Sequence, residues 1–242
     1  MSREIRARIR AAADPASAAV LQGFFKTGPG QYGEGDVFLG VRVPALRAIC
    51  RDCGDVPLTQ IRPLLRSRVH EDRSVALMLL VESFARADAT RRRRIYEFYL
   101  GHTAFINNWD LVDLSAPQVV GGFLADRSRA PLRRLARSRS LWERRIAIVA
   151  TFHFIRQNDV DETFRIADLL LEDEHDLIHK ATGWMLREVG KRDSNALRGY
   201  LRTRASRMPR TALRYAIERF PPAERRRWLL VKPMNKKTEP AK

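Results

Sequence analysis

The sequence predicts an all-α fold: a solenoid of stacked helical pairs with a concave basic face. Three observations predict it. From Pro57 onward apolar residues recur at helical spacing, and the strict alternation of a strand is nearly absent. The second helix of each pair repeats one pattern, a basic residue or two just before a small Ala and an apolar stripe. The pattern recurs at Arg73–Leu80, Arg144–Val149, His179–Leu186 and Arg210–Tyr215. Aligning Ala76, Ala116, Ala147, Ala181 and Ala212 gives irregular steps of roughly 30 to 40 residues, the scale of degenerate helical-pair repeats. The small residue lets paired helices approach closely, and the stripe packs against the neighbouring repeat.

The elements follow in order. Ile5 to Phe25 reads as one or two helices, interrupted around Asp14-Pro15. Lys26 to Asp36 is a loop, and five of the thirteen glycines lie between Gly28 and Gly40. The loop resembles a phosphate cradle, but it lacks G-x-x-x-x-G-K-[ST] and no alternating strand precedes it, so it reads as a flexible loop able to approach a ligand's backbone. Val43-Pro44 opens a helix through Cys50, with Pro44 near its first turn. The amphipathic helices then succeed one another as a single solenoid over residues 1–231. The segment 232–242 is polar and basic and is expected to be a disordered tail.

Composition narrows the partner. The chain has 242 residues, is 45% hydrophobic and carries a net charge of +17, which argues for a polyanion, nucleic acid first. An anionic membrane is the competitor, but the basic residues are spread across many helices rather than paired with one strongly apolar face. Most of them are Arg, the side chain that grips phosphate in bidentate fashion. Cys50 and Cys53 are spaced as C-x-x-C, without a second Cys pair or a His pair at ligand spacing, and read as incidental thiols at a helix end. No metal and no cofactor is expected. The N-terminus leads into an amphipathic helix rather than a signal peptide, and no apolar run approaches membrane-spanning length. These features point to a reduced cytoplasmic setting, on the nucleoid if the source is bacterial.

The stretch Asn107–Pro117 stands out. Trp109 and Asp113 are four apart and share a helix face, while Asp110 projects elsewhere. Pro117 clashes with the carbonyl of Asp113, so a helix here is expected to break or kink at Asp113, unless a new one starts with Ser115 as N-cap. The plain alternative is a core Trp109 with Asp113 capping the next helix. Three residues before the aligned alanines stand Arg73, Asp113 and Arg144, which would line one basic surface holding a single carboxylate. Trp142 reads as core. Trp184 follows Gly183, whose missing side chain would admit a ligand or a neighbouring helix.

Four stretches in order resemble the AlkD family of DNA alkylation repair glycosylases. They are Phe38–Pro44 with Arg47, Trp109-Asp110-x-Val112-Asp113, Trp142–Ile148, and Lys180-Ala181-x-Gly183-Trp184-x-Leu186-Arg187-Glu188. Their separations fit from about Phe24 to Phe220. The resemblance implies HEAT-like repeats, a monomer, and removal of positively charged N3- and N7-alkylated purines from double-stranded DNA without a metal. It makes Asp113 the essential carboxylate, Trp109 and Trp184 the indoles against the damaged nucleotide, and Arg145 the Arg that grips DNA beside the lesion. The chain departs from the pattern at Asn108, where some relatives carry a second Trp, and at Arg42-Val43, where some carry uncharged polar residues. The second departure bears on base-pair probing.

The residue types suit that chemistry on their own account. A cationic base leaves without a general acid, so the barrier is charge build-up on the sugar. A carboxylate and aromatic faces oppose that charge. Arg47, Arg73, Arg144, Lys180, Arg187, Arg210 and Arg214 are the expected DNA-binding residues. A solenoid with an open face is expected to work without a base-flipping pocket. The rival readings are a non-catalytic DNA- or RNA-binding solenoid and a protein-interaction scaffold.

Overall fold

The structure is a computed structural model and describes residues 1–233, so all but the first two residues of the expected tail lie outside the described residues. The chain is all-α, as predicted. Among the described residues the one β-type pairing is an isolated parallel bridge between Val37 and Val69. The helices gather into two compact units, residues 1–127 and 128–242.

The first unit begins with α1 (Ser2–Ala11) and α2 (Pro15–Phe24), so the interruption at Asp14-Pro15 divides two helices. Asp14 caps α2 by accepting from the Ala16 N–H, with Pro15 at the first helical position where its missing N–H costs nothing. Then come α3 (Val43–Arg51), α4 (Leu58–Leu65), α5 (His70–Arg86), α6 (Ala89–Leu100) and α7 (Trp109–Ala116). The long α5 is the axis of the unit and packs against α3, α4 and α7. Its apolar residues Val75, Ala76, Leu77 and Leu80 are fully buried.

The first turn of α5 is unusual, because His70, Glu71, Asp72 and Arg73 are consecutive, ionisable and all buried. Burial of charge is tolerated only where each group is paired, and each of these is. Glu71 accepts from the backbone N–H groups of Leu39 (2.9 Å), Gly40 (2.8 Å) and Val41 (3.3 Å). Asp72 accepts from Arg6 of α1 at 3.1 Å and from Ser67 at 2.7 Å. The glycine-rich segment is therefore pinned at its C-terminal end. Gly40 sits at φ +84°, and a Cβ there would lie 2.1 Å from the Asp14 carbonyl oxygen, so only glycine lets this loop meet the start of α2. Replacing Glu71 by Gln would turn an amide N–H₂ toward backbone donors. We expect Glu71→Gln to destabilise the protein by about 2–4 kcal/mol in urea unfolding. An unchanged midpoint would show that the carboxylate does not hold the loop.

The second unit contains α8 (Ala130–Leu135), α9 (Leu141–Ala150), α10 (Phe152–Arg156), α11 (Asp161–Leu169), α12 (Asp176–Arg192), α13 (Ser194–Arg204), α14 (Arg210–Ala216) and α15 (Pro222–Leu229). The central α12 packs against both α9 and α14. The small residues aligned in the sequence, Ala147, Ala181 and Ala212, are buried in these three helices, as Ala76 and Ala116 are in α5 and α7. Gly183 has the same cause. A Cβ on it would come within 2.5 Å of both the Ala212 carbonyl oxygen and the Tyr215 Cβ, so the missing side chain admits the neighbouring helix α14.

Candidate functional site

In the first unit the candidate site is built on α7. Asn108 caps it: its side chain is fully buried and its Oδ1 accepts from the Trp109 N–H at 2.8 Å. The expected break at Asp113 does not occur. Ala116 and Pro117 keep helical dihedrals, and the chain runs from Ala116 straight into a π-helical turn over Pro117–Gly121. A π turn bonds five residues back rather than four, and so absorbs a proline that an ordinary turn would expel. Nor does Ser115 cap a new helix. Its hydroxyl donates to the Leu111 carbonyl at 2.6 Å and lies 3.0 Å from the Tyr99 hydroxyl.

Trp109 and Asp113 are both half-buried on this helix. The Trp109 indole stacks on Phe25, with ring centroids 5.2 Å apart, and meets the exposed Phe24 edge-on at 6.0 Å. Burial pushes the Tyr99 phenol up, and the charge of nearby Asp113 adds to that. Asp110 leaves the Trp109–Asp113 face, as its spacing requires, and its Oδ2 lies 2.8 Å from His70 Nε2. A cavity of about 590 Å³ lies in this unit, lined by Phe24, Phe25 and Phe38 with His70, Glu71 and Asp110 at its polar side. Its lining includes neither Trp109 nor Asp113.

Two other expected site residues, Trp184 and Arg145, lie on α12 and α9 of the second unit. Trp184 is half-buried, donates its Nε1–H to Glu188 at 3.2 Å and packs against Phe152 at 5.8 Å. Arg145 is buried, and its Nη1 donates to the Leu177 carbonyl at 2.7 Å, which ties α9 to the first turn of α12. Trp142, expected as core, is only half-buried in the first turn of α9. Trp109 and Asp113 thus share one helix of the first unit, and Trp184 and Arg145 belong to the second.

The basic residues divide by what they already hold. Arg73, expected at a DNA surface, is instead buried: its Nη2 donates to Asp36 at 2.6 Å and its Nη1 to the Ser67 carbonyl at 3.0 Å. It occupies an inward position of α5, where the preceding loop supplies the buried carboxylate of Asp36. Arg144 pairs with Asp173 at 2.6 Å, Lys180 with Asp176 at 2.7 Å, and Arg187 with Glu218. Arg210 donates to the carbonyl oxygens of Val231 and Leu229, closing the end of α15. Arg47 and Arg214 are exposed.

The histidines near the tryptophans serve local structure. His102 has its Nδ1 2.7 Å from the Phe98 carbonyl oxygen and stacks on the Phe98 ring. The Nδ1 of His175 accepts from the Leu177 N–H as the cap of α12, and burial holds its pKa low. His179 lies against the Asp173 carbonyl. Both thiols are free, and burial pushes Cys50 up to about 12, which keeps it protonated and unreactive. No helix among the described residues is long and apolar enough to cross a membrane.

Spacing alone did not reveal the network around His70, Asp36 and Asn108. Its one signal was four successive ionisable residues, His70 to Arg73, opening an otherwise apolar helix. On an exposed first turn the same residues would be unremarkable.

The fold is that of a solved structure described as a "Predicted DNA alkylation repair enzyme from Enterococcus faecalis". The two superpose with a TM-score of 0.66 at 17% identity, over 86% of this chain and 96% of that one. The chain itself belongs to the DNA alkylation repair enzyme family, whose sequence profile matches residues 5–220. No curated protein matches it by sequence.

Proposed function

We propose that the protein is a DNA glycosylase that hydrolyses positively charged N3- and N7-alkylated purines from duplex DNA in base excision repair, without a base-flipping pocket. The observation that carries this reading is the half-buried carboxylate of Asp113 one turn from the Trp109 indole, on a helix whose start is fixed by a buried cap.

In this reading the C1′–N bond breaks first and the bonding electrons leave with the base, which departs neutral because it was already a cation. The sugar gains oxocarbenium character. Asp113 opposes that charge and orients a water whose oxygen bonds to C1′, and one proton is released. Trp109 and Trp184 offer aromatic faces to the cationic sugar and its backbone. Arg145 braces the helix that carries Trp184 through its bond to Leu177. Arg47 and Arg214 are the exposed candidates for phosphate contact, and Arg144, Lys180, Arg187 and Arg210 would join by exchanging their present partners.

The direct test is incubation of the protein with methylated duplex DNA and measurement of released purine bases. No release above spontaneous depurination would leave the non-catalytic DNA-binding reading. Binding has its own test. A handful of phosphate contacts implies that log affinity for duplex DNA falls with log salt at a slope of about −4 to −7. Arg214→Ala should make that slope shallower by about one. Salt-independent binding would defeat the electrostatic account.

A further inference from the structure

His70 is buried, yet both of its ring nitrogens face a carboxylate. Its Nδ1 lies 3.0 Å from Asp36 Oδ2 and its Nε2 lies 2.8 Å from Asp110 Oδ2. A neutral imidazole has one N–H and one lone pair, so one of these contacts would set lone pair against lone pair. Only the imidazolium donates to both. Charge agrees with geometry. Asp36 also accepts from Arg73 at 2.6 Å, and Arg73 Nη2 stands 3.4 Å from His70 Nδ1. Two carboxylates and two cations cancel, whereas a neutral His70 would leave a buried net charge of −1. The remaining charged neighbour, Glu71, is turned toward the backbone of residues 39–41. The ring faces are covered by Phe38, with centroids 4.4 Å apart, and Phe25 at 5.2 Å, which bring no charge.

The quartet touches α7 at two points. Asp110 lies in its first turn, and Asn108, its cap, donates from Nδ2 to Asp36 at 3.3 Å. Phe25, which covers His70, is also the ring on which Trp109 stacks. We propose that His70 is a positioning residue for base excision: as an imidazolium it clamps Asp110 to Asp36 and so holds the start of α7, and with it Trp109 and Asp113, in place. This rests on the glycosylase reading above.

The sign of the pH dependence follows. Burial, the largest influence on His70, lowers its pKa, but the bonds to Asp110 and Asp36 outweigh it and the net shift is upward. The clamp is therefore complete below the ordinary histidine value of about 6.5 and is lost as pH rises through the raised one. Burial raises the pKa of Asp36, but its bonds to His70 and Arg73 bring it below the ordinary value, so the acid side fails only as pH falls through that lowered value.

The test has two readouts on the full chain. In the first, the His70 imidazole and the Trp109 indole N–H are followed by NMR from about pH 6 to about pH 9. His70 should titrate above about 6.5, and the Trp109 resonance should shift with the same midpoint. That coupling should vanish in His70→Gln and, should that variant not fold, in Asp110→Asn. In the second, release of 7-methylguanine is compared between wild type and His70→Gln at each pH, so that titration of the substrate cancels. A misplacement of about 1 Å can cost on the order of a hundredfold in rate, so the ratio should be about tenfold or more at the acid end and approach one above the His70 midpoint. A His70 midpoint below its ordinary value, a Trp109 resonance indifferent to His70, or a ratio constant with pH would overturn the proposal. If wild type releases no base while Trp109 still tracks His70, the glycosylase reading fails and the clamp stands.

Discussion

Asp113→Asn should lower base release from methylated duplex DNA by about two to three orders of magnitude, the usual cost of removing one preorganised group that meets charge developing in a transition state. The amide keeps the shape of the carboxylate and withdraws only its charge. Because Asp113 sits in mid-helix, past the cap at Asn108, and Asn keeps its shape, the substitution should leave the fold and duplex affinity nearly unchanged. Single-turnover excision, duplex binding and thermal unfolding, measured side by side, decide the matter. Wild-type rates in Asp113→Asn would return this carboxylate to a structural role. Trp109→Ala is a poorer probe, because the indole is part of the aromatic packing with Phe24 and Phe25.

Substrate charge should produce the other large effect. Without a general acid, the leaving base must bring its own positive charge. 7-Methylguanine and 3-methyladenine should be released, whereas hypoxanthine, uracil and 1,N6-ethenoadenine should stay in place. General acid catalysis contributes about 10²- to 10⁴-fold where it operates, and a neutral lesion would forgo it here. His102, His175 and His179 are engaged by the Phe98 carbonyl, the start of α12 and the Asp173 carbonyl respectively. A cationic purine with a bulky N3 or N7 substituent should still be excised, since the reaction is assigned to Asp113 and Trp109 and not to the cavity bounded by Phe24, Phe25 and Phe38. The measurement is base release from matched duplexes carrying each lesion. Efficient removal of a neutral lesion would require an acid not yet identified, and rejection of every bulky cationic adduct would point to that cavity as a base pocket.

Much of the fold could be read from residue spacing. Helical periodicity carries the all-α class, and five aligned alanines mark positions that are all buried. Trp109 and Asp113 share a helix face because four residues make slightly more than one turn. What escaped was tertiary. Proline at 117 argues for a break, but a widened turn costs less than interrupting a packed helix, and sequence alone does not weigh one against the other. Arg73 and Arg145 look like their exposed neighbours on the repeat pattern, yet Asp36 and the Leu177 carbonyl, both distant in sequence, draw them inward. In the sequence Asp36 is no more than the end of a loop, because its partners His70, Arg73 and Asn108 are 34 to 72 residues away.

The four buried charges that open α5 bear on how the first unit comes apart. Local opening in a protein proceeds in cooperative blocks, and a block's boundary falls where few contacts cross it. Considered alone, α2 and the glycine-rich loop belong to the weak end of that range, since α2 buries none of its residues. But one helical turn grips α1 through Asp72, residues 39–41 through Glu71, and the start of α7 through His70. Strands of chain far apart in sequence are thereby fastened to the most deeply buried helix of the unit, and none can detach without exposing an unpaired ion to an apolar interior. The C-terminal end of the glycine-rich segment, Asp36 and residues 39–41, thus shares the opening energy of α5 itself, a rigidity that the glycines around it would never suggest.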